Sequence, residues 1–315
     1  MCKDIMDPLA ALIALIFYGA SIFILNVLTF VVQINRRKSL GYHQYPLCWI
    51  LVANALVGAL PLPLYGLKKY GVTDPEIRSR ICAAWRFTHF LCIHYSTASI
   101  AIMVIDRIKT LSTFRITILT RKHRLFIDIS NIISWIVFTI FDLGPFYISQ
   151  PGLKENCPYQ LTATWSLILN KVTIFVPQCI IGLCYCYICF VAYQQKKKII
   201  STTASLVHHH SNSVRKWRSI LVKMKVLKEL LAVIGSYVLC NLPASIYYTI
   251  EWQCSECFPG NFEPIRTWLT FFLKLLVMSH ALIVPMIFFW SSPKFRRNAK
   301  YLLSGQKEKM RKISS

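Results

Sequence analysis

Acidic side chains are scarce: 13 Asp and Glu stand against 36 Lys and Arg in 315 residues, and charged residues make up only 16%. Soluble domains average about 25% charge, so this chain has little with which to cover a water-exposed surface. It is not disordered either, because 55% of its residues are hydrophobic and a disordered chain has few. A soluble nucleic-acid binder lays its basic charge on a polar surface, and the mean hydropathy of +0.47 leaves no room for one. No internal repeat of roughly 20–50 residues occurs, which counts against repeat-built transporters. No Gly-x-Ser-x-Gly, no His-Glu-x-x-His and no paired carboxylates within one apolar run are present, so no enzyme is expected. No Asn-x-Ser/Thr sequence occurs.

What the chain does have is seven apolar runs, at 8–34, 43–67, 83–105, 125–148, 163–193, 227–250 and 267–290. Most exceed the roughly 20 residues that cross a bilayer as a helix. In lipid the backbone must satisfy its own hydrogen bonds, so these runs are helices. The first run has Lys3 ahead of it, as a signal peptide would. It is too long for that and ends on Arg36-Arg37-Lys38, so it is read as a span. The expected fold is an all-α membrane bundle of seven spans.

Charge orients the bundle. With the N-terminus outside, 26 of the 36 Lys and Arg residues fall inside, giving a net +22 there and +1 outside. Lys and Arg in short loops set orientation, which favours this topology. The basic excess is then explained by topology and by contact with anionic lipid, without nucleic acid. The segment 196–225 is the linker-like stretch, with Lys196–Lys198 and His208–His210. Three adjacent histidines without a second ligand cluster read as a solvated loop, and no metal site is expected.

Of 12 cysteines, only Cys82, Cys157, Cys254 and Cys257 fall at outer ends or in outer loops, where thiols oxidise. A zinc site would need all four, so bridges are the better account of them. The rest lie at a terminus or within spans, where free Cys is usually inert.

On the third span Cys82, Arg86, His89, Ile93, Ser96, Ile100, Met103 and Arg107 are spaced alternately by four and three, forming one helical stripe. Its outer end is polar, its lower middle apolar, and Arg107 ends it. Such a helix is expected to face the bundle interior, with an outer cavity sealed from the inside by Ile100 and Met103. Arg and His within a membrane mark function more often than bland packing.

These residues resemble those of the rhodopsin-like (class A) G-protein-coupled receptors. Cys82 precedes Arg107 by 25 residues, and Asp106-Arg107-Ile108 is similar to the family's Asp-Arg-Tyr box. Asn26 resembles the first-helix Asn. Asn54 with Pro63, Trp135 with Pro145, and Pro177 with Tyr185 match helices two, four and five. Cys240-Asn241-Leu242-Pro243 resembles Cys-Trp-x-Pro of the sixth. Pro285 and Phe288, followed by Phe295 and Arg296, resemble Asn-Pro-x-x-Tyr leading into an amphipathic eighth helix, expected at 292–303. The resemblance covers nearly the whole chain. It implies a plasma-membrane receptor, N-terminus outside, spanning residues 1–304 with a cytoplasmic tail at 305–315. It also implies a Cys82–Cys157 bridge, and Cys254 and Cys257 would close a second.

By the same resemblance the outer cavity is lined by Arg86, His89, Phe90, Asn170, Asn241, Tyr248, Lys274 and Met278. Amine receptors carry Asp where His89 stands, and opsins carry the retinal Lys where Met278 stands, so neither ligand is expected. Arg86, His89, Lys171 and Lys274 point to an acidic ligand, such as a lipid acid, a carboxylate or a peptide C-terminus. The plainer alternative pairs Lys274 with Glu251 and Lys171 with Asp142, the only acids nearby. Coupling to a heterotrimeric G protein is implied for Asp106, Arg107, Tyr185, Lys223, Pro243, Pro285 and Phe288. The basic residues Lys223, Lys225 and Lys228 fit that surface and equally fit anionic lipid. No cofactor is expected.

Departures from the family are also informative. Asn54 replaces the second-helix Asp, so an internal sodium site is expected to be lost. Lys223 replaces an acid that pairs with the third-helix Arg and would repel Arg107. Asn241, Val284 and Phe288 replace the toggle Trp, the Asn and the Tyr. A weak inactive lock and altered basal signalling are expected. A transporter, or a receptor-like decoy or chaperone that no longer signals, is the alternative.

Overall fold

The computed structural model describes residues 8–35, 45–113, 121–148, 168–206, 211–253, 263–291 and 293–304. Every element among them is helical. In chain order they are α1 (Pro8–Asn35), α2 (Leu47–Ala59), α3 (Pro61–Gly66), a π-helical turn (Leu67–Gly71), α4 (Pro75–Thr113) and α5 (Arg121–Ile148). A second π turn (Ile168–Phe175) follows, then α6 (Val176–Leu206), α7 (Ser211–Gln253), α8 (Glu263–Ser291) and α9 (Pro293–Leu303). Seven of these segments are long and apolar enough to cross a membrane. The Cys82 end of the bundle is called outer and the Arg107 end inner, after the orientation expected from the charge asymmetry.

Large apolar side chains point away from the bundle along most helices: Phe17, Leu183, Leu239 and Trp290 are each at least 70% exposed. In water that would be ruinous. In lipid it costs nothing, and helices then associate through close packing and polar contacts. Gly19 and Gly58 supply the closest packing. A Cβ on Gly58 would sit 2.5 Å from the Gly19 carbonyl oxygen and 2.6 Å from the Phe23 nitrogen, so α1 and α2 touch backbone to backbone. A polar tie crosses from α1 to α8, where Asn26 Nδ2 donates to the Ala281 carbonyl at 2.8 Å.

Prolines shape the second span. Pro61 and Pro63 have no N–H to give the preceding turn, so α2 stops at Ala59 and α3 restarts at Pro61. The helix then runs through the wide turn Leu67–Gly71, past the expected end at 67. Similarly, α4 begins at Pro75, before the apolar run. Asp74 starts it by accepting from the backbone N–H groups of Glu76 (2.8 Å) and Ile77 (3.2 Å), as an N-cap should.

The stripe on α4 faces inward as expected: Cys82, Ser96, Ile100, Met103 and Arg107 are buried, and Arg86, His89 and Ile93 half-buried. Two apolar clusters surround it. The inner one joins Ile100 and Met103 to Leu51, Val233, Tyr237, Val284 and Phe288. The outer one holds Tyr65, Trp85 and Met278. Below, α9 tucks Phe295 beneath Phe288, with ring centroids 6.3 Å apart. Arg296 Nη1 donates to the carbonyls of Phe289 (3.0 Å) and Trp290 (2.9 Å), satisfying the open C-terminus of α8.

Candidate ligand site and coupling face

At the outer end, three helices bring cations and rings together. Lys68 Nζ stands 4.4 Å from the Trp85 ring centroid and Lys274 Nζ 5.3 Å from the same ring. Lys274 is also 5.5 Å from Tyr65. Lys69 Nζ lies 4.5 Å from Phe271. His89 stacks on Trp85 at 5.3 Å with an 18° tilt, and Phe90 lies beside it. Arg86 is within electrostatic reach of both Lys68 and Lys274. Cation–ring contacts hold ammoniums in place without neutralising them.

Among the described residues no carboxylate forms an ion pair with Lys68, Lys69 or Lys274, although Glu251 lies within electrostatic reach of Lys274. Glu251 accepts from Arg266 Nε at 2.7 Å, so the expected alternative of a Lys274–Glu251 pair does not form. Asp142 is bonded to His94 Nδ1 at 2.9 Å, and His94 Nε2 meets Thr173 Oγ1 at 2.8 Å. Glu76 pairs with Arg80 at 2.7 Å and Asp74 caps α4. Two donors in this region have no hydrogen-bond partner among the described residues: Trp85 Nε1 and the Tyr248 hydroxyl.

The structure thus unites Arg86, His89, Phe90 and Lys274, and adds Lys68, Lys69, Tyr65 and Trp85, which sequence reasoning missed. Asn241 and Met278 line a cavity deeper in the bundle together with Asn54, Ser96, Tyr237 and His280. The side chains of Asn170 and Lys171 lie outside the described residues.

That deeper cavity has room for about two water molecules. Both amide atoms of Asn54 and Nε2 of His280 lack partners among the described residues. Buried polar atoms of this kind are ordinarily met by water. The lining contains no carboxylate to balance a cation. Beneath it Tyr237 shares a hydrogen bond with Thr97 Oγ1 at 2.6 Å and meets His280 edge-on at 5.3 Å.

At the inner end, Asp106 and Arg107 are both buried and 3.4 Å apart. Asp128 accepts from the Tyr45 hydroxyl at 2.7 Å and from Trp49 Nε1 at 2.9 Å, tying α2 to α5. Tyr185 of α6 lies against Gly235 of α7, where a Cβ would come within 2.9 Å of its hydroxyl. Pro243 sits inside α7 and Pro285 inside α8. The side chain of Lys223 lies outside the described residues. Cys82 is disulfide-bonded. Its partner lies outside the described residues, as do Cys157, Cys254 and Cys257.

The chain matches the family model "7 transmembrane receptor (rhodopsin family)" over residues 14–288. This protein belongs to the rhodopsin family of seven-transmembrane receptors. The match reaches into all seven spans, and the seven apolar helices make it a multi-pass membrane protein. A comparison with curated proteins found no match. As a rhodopsin-family receptor the chain has seven apolar helices of spanning length, the second and third with bounds that differ from those expected. Of its departures, Asn54 and Asn241 line the deeper cavity, and Val284 and Phe288 belong to the apolar cluster around Ile100 and Met103.

Proposed function

We propose that this protein is a plasma-membrane receptor, N-terminus outside, that passes the binding of an acidic extracellular ligand to heterotrimeric G proteins inside the cell. Residues 1–304 form the receptor unit and 305–315 its cytoplasmic tail. The observation that carries the ligand class is Lys274: half-buried, held over Tyr65 and Trp85 beside Lys68, with no carboxylate partner among the described residues. Carboxylates and phosphates are what such donors accept. The observation behind the coupling face is the buried Asp106–Arg107 pair below an apolar seal. Lys223, Lys225 and Lys228 supply a basic rim for the G protein. The apolar cluster of Ile100, Met103, Val284 and Phe288 below the outer site favours a receptor over the transporter reading.

Two measurements test this reading. Basal activation of each Gα class is compared between wild type and Arg107→Ala at equal surface expression. The expected result is activation of one class by wild type and at least a tenfold loss in the variant. An equal signal from both would remove Arg107 from the coupling role, and silence from both would favour the decoy. For the ligand, Lys274→Glu is expected to abolish activation by an acidic agonist; unchanged potency would remove Lys274 from the site.

A further inference from the structure

We propose that the outer site recognises a compact group of at least two negative charges, of phosphate-ester or diphosphate type, and that Lys68 on the second span supplies half of the recognition. The inference rests on the acidic-ligand reading above and narrows it.

Lys68 and Lys274 come from different helices and share one ring, Trp85, at 4.4 and 5.3 Å. Two ammoniums around one indole repel each other, and the repulsion is strong where water is sparse. A membrane protein does not hold such a pair without cause, since intramembrane cations are expensive and face a partner, a cavity or a pathway. Each carboxylate whose side chain is described in this half is bonded elsewhere: Asp74 to the α4 N-terminus, Glu76 to Arg80, Asp142 to His94, and Glu251, though within electrostatic reach of Lys274, to Arg266. Lys69, over Phe271, adds a third positive charge at the mouth. A single carboxylate entering here would leave most of that charge uncompensated.

The second, independent observation is the set of unpartnered donors. Trp85 is 5% exposed and its Nε1–H has no acceptor among the described residues. The Tyr248 hydroxyl has none either. A buried donor without a partner carries its full desolvation cost. Lys68, Lys274, Trp85 Nε1 and Tyr248 together present donors from spans two, three, six and seven with no hydrogen-bond acceptor among the described residues. A carboxylate has two oxygens; a phosphate monoester has three on its charged end and carries about two charges near neutral pH. It therefore meets more of these donors and balances both lysines.

The test uses the full-length receptor in nanodiscs of phosphatidylcholine, at constant ionic strength. Its melting midpoint is followed while inorganic phosphate, pyrophosphate or acetate is added. Ligand that binds only the folded state raises the midpoint. Phosphate and pyrophosphate are expected to raise it by about 2 °C or more at saturation, and acetate by much less. Lys68→Gln and Lys274→Gln should each abolish the shift, Lys274→Arg should keep most of it, and Lys197→Gln, at an exposed inner position, should leave it whole. The unliganded midpoint of each variant shows whether it folds, and Lys274→Arg keeps the test decisive if the glutamine variants do not. A second set of discs containing phosphatidic acid distinguishes a lipid headgroup from a soluble phosphate. A Lys68-dependent rise in those discs alone identifies the lipid, and a rise with soluble pyrophosphate in neutral discs identifies the free ligand.

The outcomes separate cleanly. Equal stabilisation by acetate and phosphate, lost in Lys274→Gln but kept in Lys68→Gln, overturns the dianion and leaves the acidic ligand standing. No stabilisation by any anion, in either kind of disc, overturns both.

Discussion

The two ends of this bundle solve the problem of charge in a membrane in opposite ways. At the inner end, charge is closed off: Asp106 lies against Arg107, Asp128 is held by Tyr45 and Trp49, and an apolar layer from Ile100 to Phe288 lies above. At the outer end, charge is left open: Lys68, Lys69 and Lys274 rest on aromatic faces and form no ion pair with a carboxylate among the described residues. One helix, α4, carries both, with His89 and Arg86 above and Arg107 below. The difference teaches where the signal must travel. On the proposed reading a ligand completes the outer end, whereas at the inner end Arg107 already has a carboxylate beside it. Changes that act on one end alone, on both, or on the cavity between them therefore break or sharpen the comparison.

The largest effect is expected at His94, which pins the outer half. Its ring is fully buried, bonded to Asp142 and Thr173, and stacked on Phe138 at 4.7 Å. His94→Ala takes that partner from a buried carboxylate, and removing one member of a buried pair costs about 3–5 kcal/mol. The melting midpoint should fall sharply and the pyrophosphate shift should weaken, while basal G-protein activation per folded receptor stays near wild type. Equal loss at both ends would show that the halves are not separable.

A smaller effect, shared by both ends, is expected at Gly58. Alanine there places a methyl group 2.5 Å from the Gly19 carbonyl and 2.6 Å from the Phe23 backbone nitrogen, neither of which can swing aside. Overpacking of this kind costs about 1–3 kcal/mol. Surface expression and midpoint of Gly58→Ala should drop together, with anion binding and coupling falling in step. A wild-type midpoint would mean that α1 and α2 separate freely at this crossing.

How much of this was legible beforehand follows from particular residues. The seven spans could be read because lipid demands long apolar runs, and the α4 stripe because helical spacing keeps Cys82 to Arg107 on one face. Lys68 and Lys69 were missed because hydropathy ends the second run at 67, while the backbone carries the helix through a π turn to Gly71. Composition marks where lipid contact stops, not where a helix does. Trp85 was missed because it lies one residue off the stripe, although an aromatic beside Arg86 at an outer end is a usable signal. His94 was missed for a similar reason. It neighbours Ile93 but faces α5, and its partner Asp142 is far along the chain. Two ionisable residues on adjacent spans were the available clue, and spacing within one helix does not reveal it.

The smallest effect is expected in the cavity between the two ends, and it bears most directly on how they communicate. Asn54 is buried with both amide atoms unpartnered, near Ser96 and His280, in a lining without a carboxylate. Water suits these neutral groups, and a sodium ion would bring an unbalanced charge into a poorly solvated place. Asn54→Asp reverses that condition. Its carboxylate is expensive there unless it is protonated or meets a cation, and hard oxygen ligands suit sodium as they suit other hard cations. Replacing N-methylglucamine chloride by sodium chloride should therefore leave the wild-type midpoint and basal signalling unchanged. In Asn54→Asp it should raise the midpoint by about 1–2 °C and lower basal signalling, because a filled cavity ties spans two and three together above the inner seal. Sodium dependence in the wild type would show that the cavity holds a cation despite its neutral lining. A variant that gains stability but not a changed basal signal would show that the cavity does not lie on the path between the two ends.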